Sequence, residues 1–276
     1  MGSENQENLS LDYQSMMYEG VVYPPFIKAE ALNELREKHT LRSSDIVIAT
    51  FPKCGTTWMQ QIVLTLLADG DGSKVRQPMG MSPWLEAWVS NQGLAAFEAW
   101  HPEQTGWNGL ENSCDLDPGW CPSRRVLKTH APAQLAPWVG GTERNGMNGA
   151  RVIVVTRNPK DAAVSHYHHT IDLPHIFKYN GSRDHFLRKI WIPSKVESGS
   201  FWEWHQSWWQ VCQGGSVDLL WISYEELLSE PEKSISRVAK FIGLEPTTEL
   251  TKGVLAASNF QAMKQTAAEE DAKLVA

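Results

Sequence analysis

The sequence predicts an α/β protein whose central parallel sheet is covered by helices on both faces. Two short runs, Asp45–Thr50 (DIVIAT) and Arg151–Thr156 (RVIVVT), are almost wholly apolar, as is typical of strands buried in a parallel sheet. A tight turn and a helical stretch follow each run, and this order favours parallel strands joined by helical crossovers. With 276 residues, of which 42% are hydrophobic and 21% charged, the chain can bury a sizeable core.

Residues 1–276 are expected to form a single domain, because no internal repeat and no long Pro/Gly linker divides the sequence. Residues 1–17 are expected to be flexible, and residues 265–276 to form an irregular or truncated tail. From Gly70 to Arg124 the pattern is irregular, which predicts loops around one short helix. In chain order, the predicted elements are a helix at Ala29–His39, a strand at Asp45–Thr50, a helix from Thr56 or Thr57 to Ala68, a short helix near Pro83–Ser90, strands at Arg125–Lys128 and Arg151–Thr156, helices at Asn158–Thr170, Arg183–Ile190 and Phe201–Cys212, a strand at Leu219–Ser223 and a helix at Glu232–Ile242.

Composition and charge exclude several classes of protein. The chain has 25 Lys and Arg against 32 Asp and Glu, a formal charge of −7, so it lacks the dense basic surface that general nucleic-acid binding needs. The segment MGSENQENLS has neither the basic nor the apolar region that a signal peptide needs, so none is expected, and the longest apolar runs are far shorter than a membrane span. Four cysteines without CxxC spacing do not indicate a disulfide scaffold. We therefore expect a cytoplasmic protein without nucleic-acid or membrane partners.

The segment IVIAT-FPKCG-TTWMQQIV is a predicted strand, loop and helix that suits an anion. A glycine in the turn lets the N–H groups of Gly55, Thr56 and Thr57 point into one concavity, where the helix dipole and Lys53 add positive charge. A phosphate or sulfuryl group fits such a site, whereas an ordinary turn capped by threonine is the structural alternative. The Walker A pattern of kinases and ATPases is absent, because Lys53 precedes the glycine instead of following it.

A second strand, turn and helix, RVIVVT-RNPKDAAVSHYHH, repeats this arrangement with an arginine. Arg157 leaves the strand end, so its guanidinium is expected at the carboxyl edge of the sheet, where it suits bidentate contact with a phosphate. Ser165 lies two helical turns further on, where one helix face can carry it toward the same ligand. Taken singly, a surface salt bridge for Arg157 and a hydrogen bond within the helix for Ser165 are the more ordinary explanations. Together with the first loop, they favour an anion site.

Three motifs in this order, FPKCGTTW, LKTHAP and RNPKDAAVSHYHH, closely resemble the cytosolic sulfotransferases. The segments WISYEEL, EPEKSISRVAKFIGL and SNFQAMK extend the resemblance, which covers the chain from about Tyr18 to Met263. It implies an α/β fold of the P-loop nucleotide-kinase type and 3′-phosphoadenosine 5′-phosphosulfate as the donor. The implied reaction is transfer of a sulfuryl group to a hydroxyl or amine of a small-molecule acceptor, without a metal.

The resemblance also implies a set of donor-binding residues. By position in the motifs, these are Lys53, Cys54, Gly55, Thr56, Thr57, Trp58, Arg157, Ser165, Tyr224, Ser258, Phe260 and Met263. The first six resemble the loop that binds the 5′-phosphosulfate, and Trp58 at its end resembles the ring that stacks toward the adenine. Arg157 and Ser165 resemble the ligands of the 3′-phosphate, and the last four resemble further residues of the adenine pocket. A purine fits a slot made by an aromatic ring and a methionine, although both would be ordinary core residues without the family match.

The tripeptide Lys128-Thr129-His130 follows a predicted strand, whose alternation places Lys128 and His130 on the same side. By the resemblance, His130 is the general base that takes the proton of the acceptor, and imidazole titrates near neutrality. Lys53 and Lys128 would stabilise the charge that develops during in-line transfer. A partly buried structural histidine is the alternative for His130 taken alone.

Aromatic residues indicate the acceptor pocket. Trp84 aligns with an aromatic wall of the family's pocket, Tyr23 and Phe26 are further candidate walls, and His169 aligns with a position that often lines it. The i,i+3 pair of His166 and His169 could suggest a metal, but the sequence places no acidic or Cys third ligand near them. Such a pocket favours a small alcohol, phenol or amine over a polysaccharide, and it could hold a cationic acceptor by cation–π contact.

Cys54 stands where many relatives have serine. It lies beside Lys53 and near a helix N-terminus, and both features lower the pKa of a thiol. We therefore expect a thiol whose oxidation or alkylation blocks donor binding, with an inert, packed cysteine as the alternative.

The sequence departs from the family after the SNFQAM segment. Relatives usually carry an R-K-G-x-x-G-x-W-K segment there and a dimer motif beyond it, whereas this sequence runs through AAEEDAKLVA to Ala276. Either the sequence is truncated, or Arg157 and Ser165 alone hold the 3′-phosphate, in which case donor binding is expected to be weaker. A nucleotide-binding pseudoenzyme or scaffold is therefore the alternative function, and the oligomeric state is open. The intact lysine pair and His130 favour the enzyme.

Overall fold

A computed structural model describes residues 11–75, 78–100, 122–215 and 217–265 of the chain. Its central element is a parallel sheet of four strands in the order β4-β3-β5-β6, and β1 and β2 form a separate antiparallel hairpin. The strands are β1 at Met16–Tyr18, β2 at Val21–Tyr23, β3 at Ile46–Thr50, β4 at Val126–Thr129, β5 at Arg151–Thr156 and β6 at Leu219–Ser223. The expected parallel sheet is confirmed.

Helices connect and cover these strands. In the described part of the chain the α-helices are α1 at Ala29–Lys38, α2 at Thr56–Leu67, α3 at Pro78–Met81, α4 at Leu85–Gln92, α5 at Leu94–Ala99, α6 at Arg144–Met147, α7 at Pro159–Asp172, α8 at Pro174–Phe177, α9 at Arg183–Phe186, α10 at Phe201–Gly214, α11 at Tyr224–Ser229, α12 at Pro231–Phe241 and α13 at Thr248–Ser258. A π-helical turn, Leu187–Trp191, continues α9, and a further helical segment spans residues 260–265.

Successive side chains of the central strands β3 and β5 point to opposite faces of the sheet, and both faces are buried. One face joins a core with α1, α4, α5, α7 and α10, and its residues from β3 and β5 are Val47, Ala49, Val152 and Val154. The other face joins a core with α2, α12 and α13, and its residues from the same strands are Ile46, Ile48, Ile153 and Val155. The central strands are therefore apolar at every inward position, which is why their runs are nearly continuous in the sequence.

The predicted elements differ from the observed ones mainly at their ends. β5 and β6 have their predicted bounds, whereas β4 runs one residue later because Thr129 still pairs with Ala49 of β3. Asp45 and Arg125, expected to begin β3 and β4, precede these strands and form a buried ion pair whose Nη2–Oδ2 distance is 2.5 Å. The short helix expected near Pro83–Ser90 is α4, with α3 before it and α5 after it.

Residues 11–17 are held in place by contacts with the rest of the protein. Within residues 11–17, which were expected to be flexible, Tyr13 stacks on Phe177 with ring centroids 5.1 Å apart. The N–H of Gln14 donates to the carbonyl of Phe177 over 2.8 Å, and β1 begins at Met16. The rest of that prediction, residues 1–10, and the predicted tail beyond residue 265 lie outside the described residues. No described helix is both long and apolar enough to cross a bilayer.

Candidate active site

The loop between β3 and α2 forms the centre of the site. Lys53 and Gly55 both have positive φ, 69° and 103°, so the chain turns tightly before the helix. The first intrahelical hydrogen bond runs from the N–H of Met59 to the carbonyl of Gly55 over 3.0 Å. The N–H groups of Thr56 and Thr57 precede that bond and have no partner within the helix. Two backbone donors without a helical partner therefore lie at the carboxyl edge of the sheet, an arrangement that suits an anion, and the concavity itself stays a prediction.

His130 lies beside this loop, immediately after β4. Its Nδ1 is 2.8 Å from the backbone oxygen of Thr50 and 3.2 Å from the Thr50 hydroxyl. A carbonyl oxygen only accepts hydrogen bonds, so Nδ1 carries the proton and Nε2 has a free lone pair. The indole of Trp204 donates to the backbone oxygen of His130 over 2.9 Å and fixes its main chain. This tautomer is the one that a general base working through Nε2 requires.

Burial and positive charge set the protonation of the site. Burial, reinforced by the charge of Lys128, holds the pKa of His130 well below the ordinary value. Burial also lowers the pKa of Lys128 and of Lys53. His130 is therefore neutral at pH 7, which is the form that can accept a proton.

A buried carboxylate supports the segment that carries Lys128 and His130. The hydroxyl of Thr129 donates to Oε1 of Glu86 over 2.6 Å and accepts from the N–H of Ala131 over 3.0 Å. Burial raises the pKa of Glu86 to about 7. Thr129 therefore links the strand end to α4, and this link fixes the residues on either side of it.

Arg157 reaches back to the loop from the end of β5. Its Nη1 donates to the carbonyl of Lys53 over 3.0 Å, and its guanidinium lies 4.3 Å from the ring centroid of Tyr224. Ser165 is half-buried on α7. The two strand-to-helix junctions predicted to form one anion site are thus in contact through Arg157.

A cavity of about 670 Å³ opens between α2, α11, α12 and α13. The five residues predicted to line an adenine pocket all border it; they are Trp58, Tyr224, Ser258, Phe260 and Met263. Trp58 and Tyr224 meet edge to face at 5.0 Å, whereas Phe260 is 75% exposed. The size and the mostly apolar lining fit a purine base.

The predicted acceptor residues lie on the other side of His130. Trp84 meets the His130 ring edge to face at 5.0 Å, and Phe26 meets Trp84 in the same way at 5.7 Å. The Nζ of Lys128 lies 5.1 Å from the centroid of the Trp84 ring. Burial, with the charges of Lys53 and Lys128, lowers the pKa of His169 to about 4. Two of the predicted acceptor residues, Trp84 and Phe26, therefore form an aromatic wall beside His130, and their role in acceptor binding stays a prediction.

The expectation of a reactive Cys54 is wrong. Cys54 is fully buried and belongs to the apolar core of one sheet face. Burial raises the pKa of the thiol, and the nearby charge of Arg157 offsets only part of this. The proximity of Lys53 and of a helix N-terminus misled the prediction, because the side chain points into the core.

Comparison with known proteins decides the family. The chain matches the family model described as the sulfotransferase domain over residues 43–276. The chain belongs to the sulfotransferase family. It is 31% identical to sulfotransferase 2B1 of Mus musculus over 265 residues, covering 95% of this chain and 68% of that protein. It is 32% identical to sulfotransferase 1B1 of Mus musculus over 244 residues, covering 87% and 73%. The expected family and enzyme class are confirmed.

Solved sulfotransferase structures share the fold. Mouse sulfotransferase SULT7A1 complexed with PAP aligns with a TM-score of 0.67 at 21% identity, covering 92% of this chain and 77% of that chain. Retinol dehydratase in complex with androsterone and inactive cofactor PAP aligns with a TM-score of 0.68 at 19% identity, covering 95% and 78%. The predicted sulfotransferase fold is thereby confirmed.

Sequence reasoning missed several residues that lie in or near the candidate site. Thr50 and Glu86 carry no motif of their own, and their partners His130 and Thr129 lie 80 and 43 residues away along the chain. Glu197, a buried carboxylate near both site lysines, was not singled out either. Only the folded sheet brings these groups together.

Proposed function

We propose that this sulfotransferase moves a sulfuryl group from 3′-phosphoadenosine 5′-phosphosulfate to a hydroxyl or amine of a small-molecule acceptor, with His130 as general base. The observation that carries the proposal is the fixed tautomer of His130 beside the anion-binding loop. The Nδ1–H is engaged by Thr50, so Nε2 can take the proton of the acceptor as its oxygen or nitrogen attacks the sulfur. Neither a metal nor a covalent enzyme intermediate is needed.

Lys53 and Lys128 supply the electrostatic part of catalysis. Both lysines are half-buried, and their positive charges help to lower the pKa of His130. Positive charge held in place before the reaction stabilises the oxygens of the sulfuryl group and the bridging oxygen that leaves with the nucleotide. Because the two lysines are half-buried, this stabilisation is stronger than it would be for fully exposed charges.

The donor-binding residues divide between the loop and the cavity. The N–H groups of the α2 N-terminus would hold the 5′-phosphate, Arg157 and Ser165 the 3′-phosphate, and the cavity beside Trp58 the adenine. Two related structures contain PAP, and one of them also contains androsterone. A small alcohol or phenol seated against Trp84 is the corresponding acceptor class for this chain. Metal-free catalysis, a single domain and cytoplasmic location stay predictions.

Release of adenosine 3′,5′-bisphosphate tests the proposal. The purified chain would be incubated with the phosphosulfate donor and a panel of phenols, alcohols and amines, with reactions lacking an acceptor as the control. We expect release that depends on at least one acceptor and is matched by formation of its sulfate ester or sulfamate. Donor binding without release for every acceptor would reject the enzyme and support the scaffold alternative.

A further inference from the structure

The ammonium group of Lys128 is held without a paired counter-charge. Lys128 is half-buried at the end of β4, and its Nζ forms no ion pair and no hydrogen bond with any residue that the structure describes. Burial lowers the pKa of Lys128, and the charges of Glu197 and Glu86 offset only part of this. The Nζ does approach the face of the Trp84 indole, at 5.1 Å from the ring centroid. An ammonium group is attracted to an aromatic face within about 6 Å of the centroid, so this contact holds the side chain.

The Trp84 ring is itself attached to the strand that carries Lys128. The N–H of Lys128 donates to the carbonyl of Pro83 over 2.9 Å, and Trp84 and Lys128 form a parallel bridge. The hydroxyl of Thr129 donates to Oε1 of Glu86 over 2.6 Å, which joins the start of α4 to the end of β4 a second time. The indole therefore has a fixed place relative to the backbone of Lys128 before any ligand binds, and a flexible four-carbon side chain meets a fixed aromatic face.

A second cation of the candidate site is held in the same way. The guanidinium of Arg157 lies 4.3 Å from the centroid of the Tyr224 ring, and its Nη1 donates to the carbonyl of Lys53 over 3.0 Å. Arg157 forms no ion pair with any carboxylate in the described part of the chain. Arg125, which precedes β4 at the opposite edge of the sheet, is instead paired with Asp45 through two hydrogen bonds. The fold thus pairs a structural arginine with a carboxylate and leaves two cations of the candidate site on aromatic rings.

A neutral partner suits a cation that has to receive an anion. A carboxylate would cancel the charge of the ammonium group and repel an incoming sulfuryl group, and the ion pair would have to separate before the anion could bind. An aromatic ring has no net charge, and its attraction for the ammonium group restricts the many rotamers that a lysine side chain otherwise explores. Charge that is held in place and left uncompensated is the kind that stabilises negative charge during a reaction.

We propose that Trp84 is a positioning residue for Lys128. Its indole face holds the ammonium group where the sulfuryl group of the donor binds, and it leaves the positive charge available to that group. The inference rests on the proposed function, in which Lys128 engages the sulfuryl group. It gives Trp84 a role that needs no acceptor, in addition to its predicted place in the wall of the acceptor pocket.

Calorimetry without an acceptor tests this role. The ligands are 3′-phosphoadenosine 5′-phosphosulfate and adenosine 3′,5′-bisphosphate, which differ by the sulfuryl group, and each is titrated into the full chain. The ratio of the two affinities measures what the sulfuryl group contributes to binding. Trp84→Leu, which removes the ring but keeps an apolar side chain, should lower this ratio about three- to tenfold.

Two matched variants accompany this change. Trp84→Phe keeps an aromatic face and should lower the ratio by less than about threefold. The control Trp88→Leu alters a half-buried tryptophan one turn further along α4, whose ring packs against Phe97 with centroids 5.5 Å apart. It should leave the ratio unchanged, because Trp88 is not the ring on which Lys128 rests.

Two further comparisons separate the electrostatic contact from the shape of the ring. Site-specific replacement of Trp84 by tryptophans that carry one, two or three fluorine atoms withdraws electrons from the ring with little change in size, so the ratio should fall stepwise. In a Lys128→Gln background, Trp84→Leu should have no further effect on the ratio, because a residue that acts through Lys128 cannot act without it. Circular dichroism shows whether each variant folds, and the fluorinated and Phe variants keep the test valid should the Leu variant fail to fold.

An unchanged affinity ratio in Trp84→Leu, or across the fluorinated series, would overturn the inference. An equal effect of Trp84→Leu with and without the Lys128 side chain would overturn it as well. Acceptor-dependent turnover together with an unchanged ratio would refute the inference and leave the proposed function intact. A stepwise fall of the ratio, with no turnover for any acceptor, would refute the proposed function alone.

Discussion

The two sides of the α2 N-terminus are built in different ways. On the acceptor side, His130, Thr129 and Glu86 are buried, and each makes a specific hydrogen bond to a neighbouring element. On the nucleotide side, the cavity is lined mainly by apolar groups, and one of its rings, Phe260, is 75% exposed. The groups proposed to react are therefore held in place before any ligand arrives. The cavity proposed for the adenine would instead bind it mainly through apolar contacts.

This difference predicts where substitutions have large effects. Removing a buried hydrogen-bonding group leaves its partner unpaired in a low-dielectric region, which is costly. Removing an exposed apolar ring loses only a share of the contact with the ligand. Substitutions on the acceptor side should thus reduce both stability and turnover, and those on the nucleotide side should mainly reduce donor affinity.

The largest loss of stability is expected for Thr129→Val. This change leaves a Glu86 oxygen and the N–H of Ala131 without their partner, and it should lower the free energy of unfolding by about 2–4 kcal/mol. It should also reduce turnover, because Lys128 and His130 flank the altered residue. Urea denaturation and steady-state kinetics measure the two effects.

Thr251→Val is the matched control, because Thr251 is a buried threonine on α13, outside the acceptor side. It should change the free energy of unfolding by less than about 1 kcal/mol. An equal decrease in the free energy of unfolding in both variants would show that the hydrogen bonds of Thr129 contribute no more to stability than an ordinary buried threonine does.

Gly55→Ala acts where the two regions meet. Gly55 has a φ of 103°, and an added Cβ would lie 2.9 Å from Cδ2 of Tyr224. We expect a loss of about 1–2 kcal/mol in stability from the backbone strain, together with donor binding weakened about tenfold by displacement of the loop and of the Tyr224 ring. Calorimetry with adenosine 3′,5′-bisphosphate measures the second effect.

Gly243→Ala controls for strain alone, since Gly243 has a φ of 84° and nothing lies within 4 Å of its added Cβ. It should lose stability without losing affinity for the bisphosphate. Unchanged affinity in Gly55→Ala would show that this loop geometry does not govern donor binding.

Trp58→Ala and Phe260→Ala compare two rings of the nucleotide cavity. Stacking of a base on an aromatic ring is worth about 1–3 kcal/mol, so Trp58→Ala should weaken bisphosphate binding at least about fivefold. Phe260→Ala should weaken it less than about threefold, because most of that ring faces solvent. The reverse order would mean that the base lies nearer the exposed rim than the geometry indicates.

The last contrast concerns the pH dependence of stability. Burial lowers the pKa of His169 and of His205 to about 4, whereas each has a pKa near 6.5 in the unfolded chain. Between these values the unfolded state binds more protons, so the free energy of unfolding should fall as the pH falls from about 6.5 to 4. The stability is fully present above pH 6.5.

His169→Phe should reduce this slope by about one bound proton, whereas His175→Gln, which alters an exposed histidine, should leave it unchanged. Urea titrations at several pH values measure the slope, and an identical slope in His169→Phe would contradict the assignment. Unchanged acceptor preference in the same variant would also remove His169 from the predicted pocket.

The sequence predicted the parts of the fold that local patterns encode. The apolar run of β5 and the proline at the start of α7 gave both elements within a residue or two. The hairpin strands β1 and β2 have three residues each, which is too few for an alternation of apolar and polar residues to be recognised in the sequence. Helix α13 was missed although Thr247 caps it through the N–H of Leu250, because Gly253 and two threonines lower the helix propensity of its sequence. The strand order β4-β3-β5-β6 depends on tertiary packing, which no local pattern contains.

The site shows the same division. Motif residues such as Lys53 and Arg157 could be predicted as site residues because their type and position follow from strand-to-helix junctions. Glu86 and Glu197 were not found, because a carboxylate becomes informative only when its burial and its neighbours are known. The prediction of a reactive Cys54 thiol failed for a related reason, because closeness to a charge in the sequence does not show which way a side chain points.

His130→Ala tests the central claim most directly. With saturating donor and a competent phenol, we expect turnover to fall by about 10²–10⁴-fold, while the affinity for adenosine 3′,5′-bisphosphate stays within about twofold because binding of the nucleotide does not use the imidazole. His168→Ala, which alters an exposed histidine on α7, should behave like the unaltered chain. Near-normal turnover in His130→Ala would contradict the account.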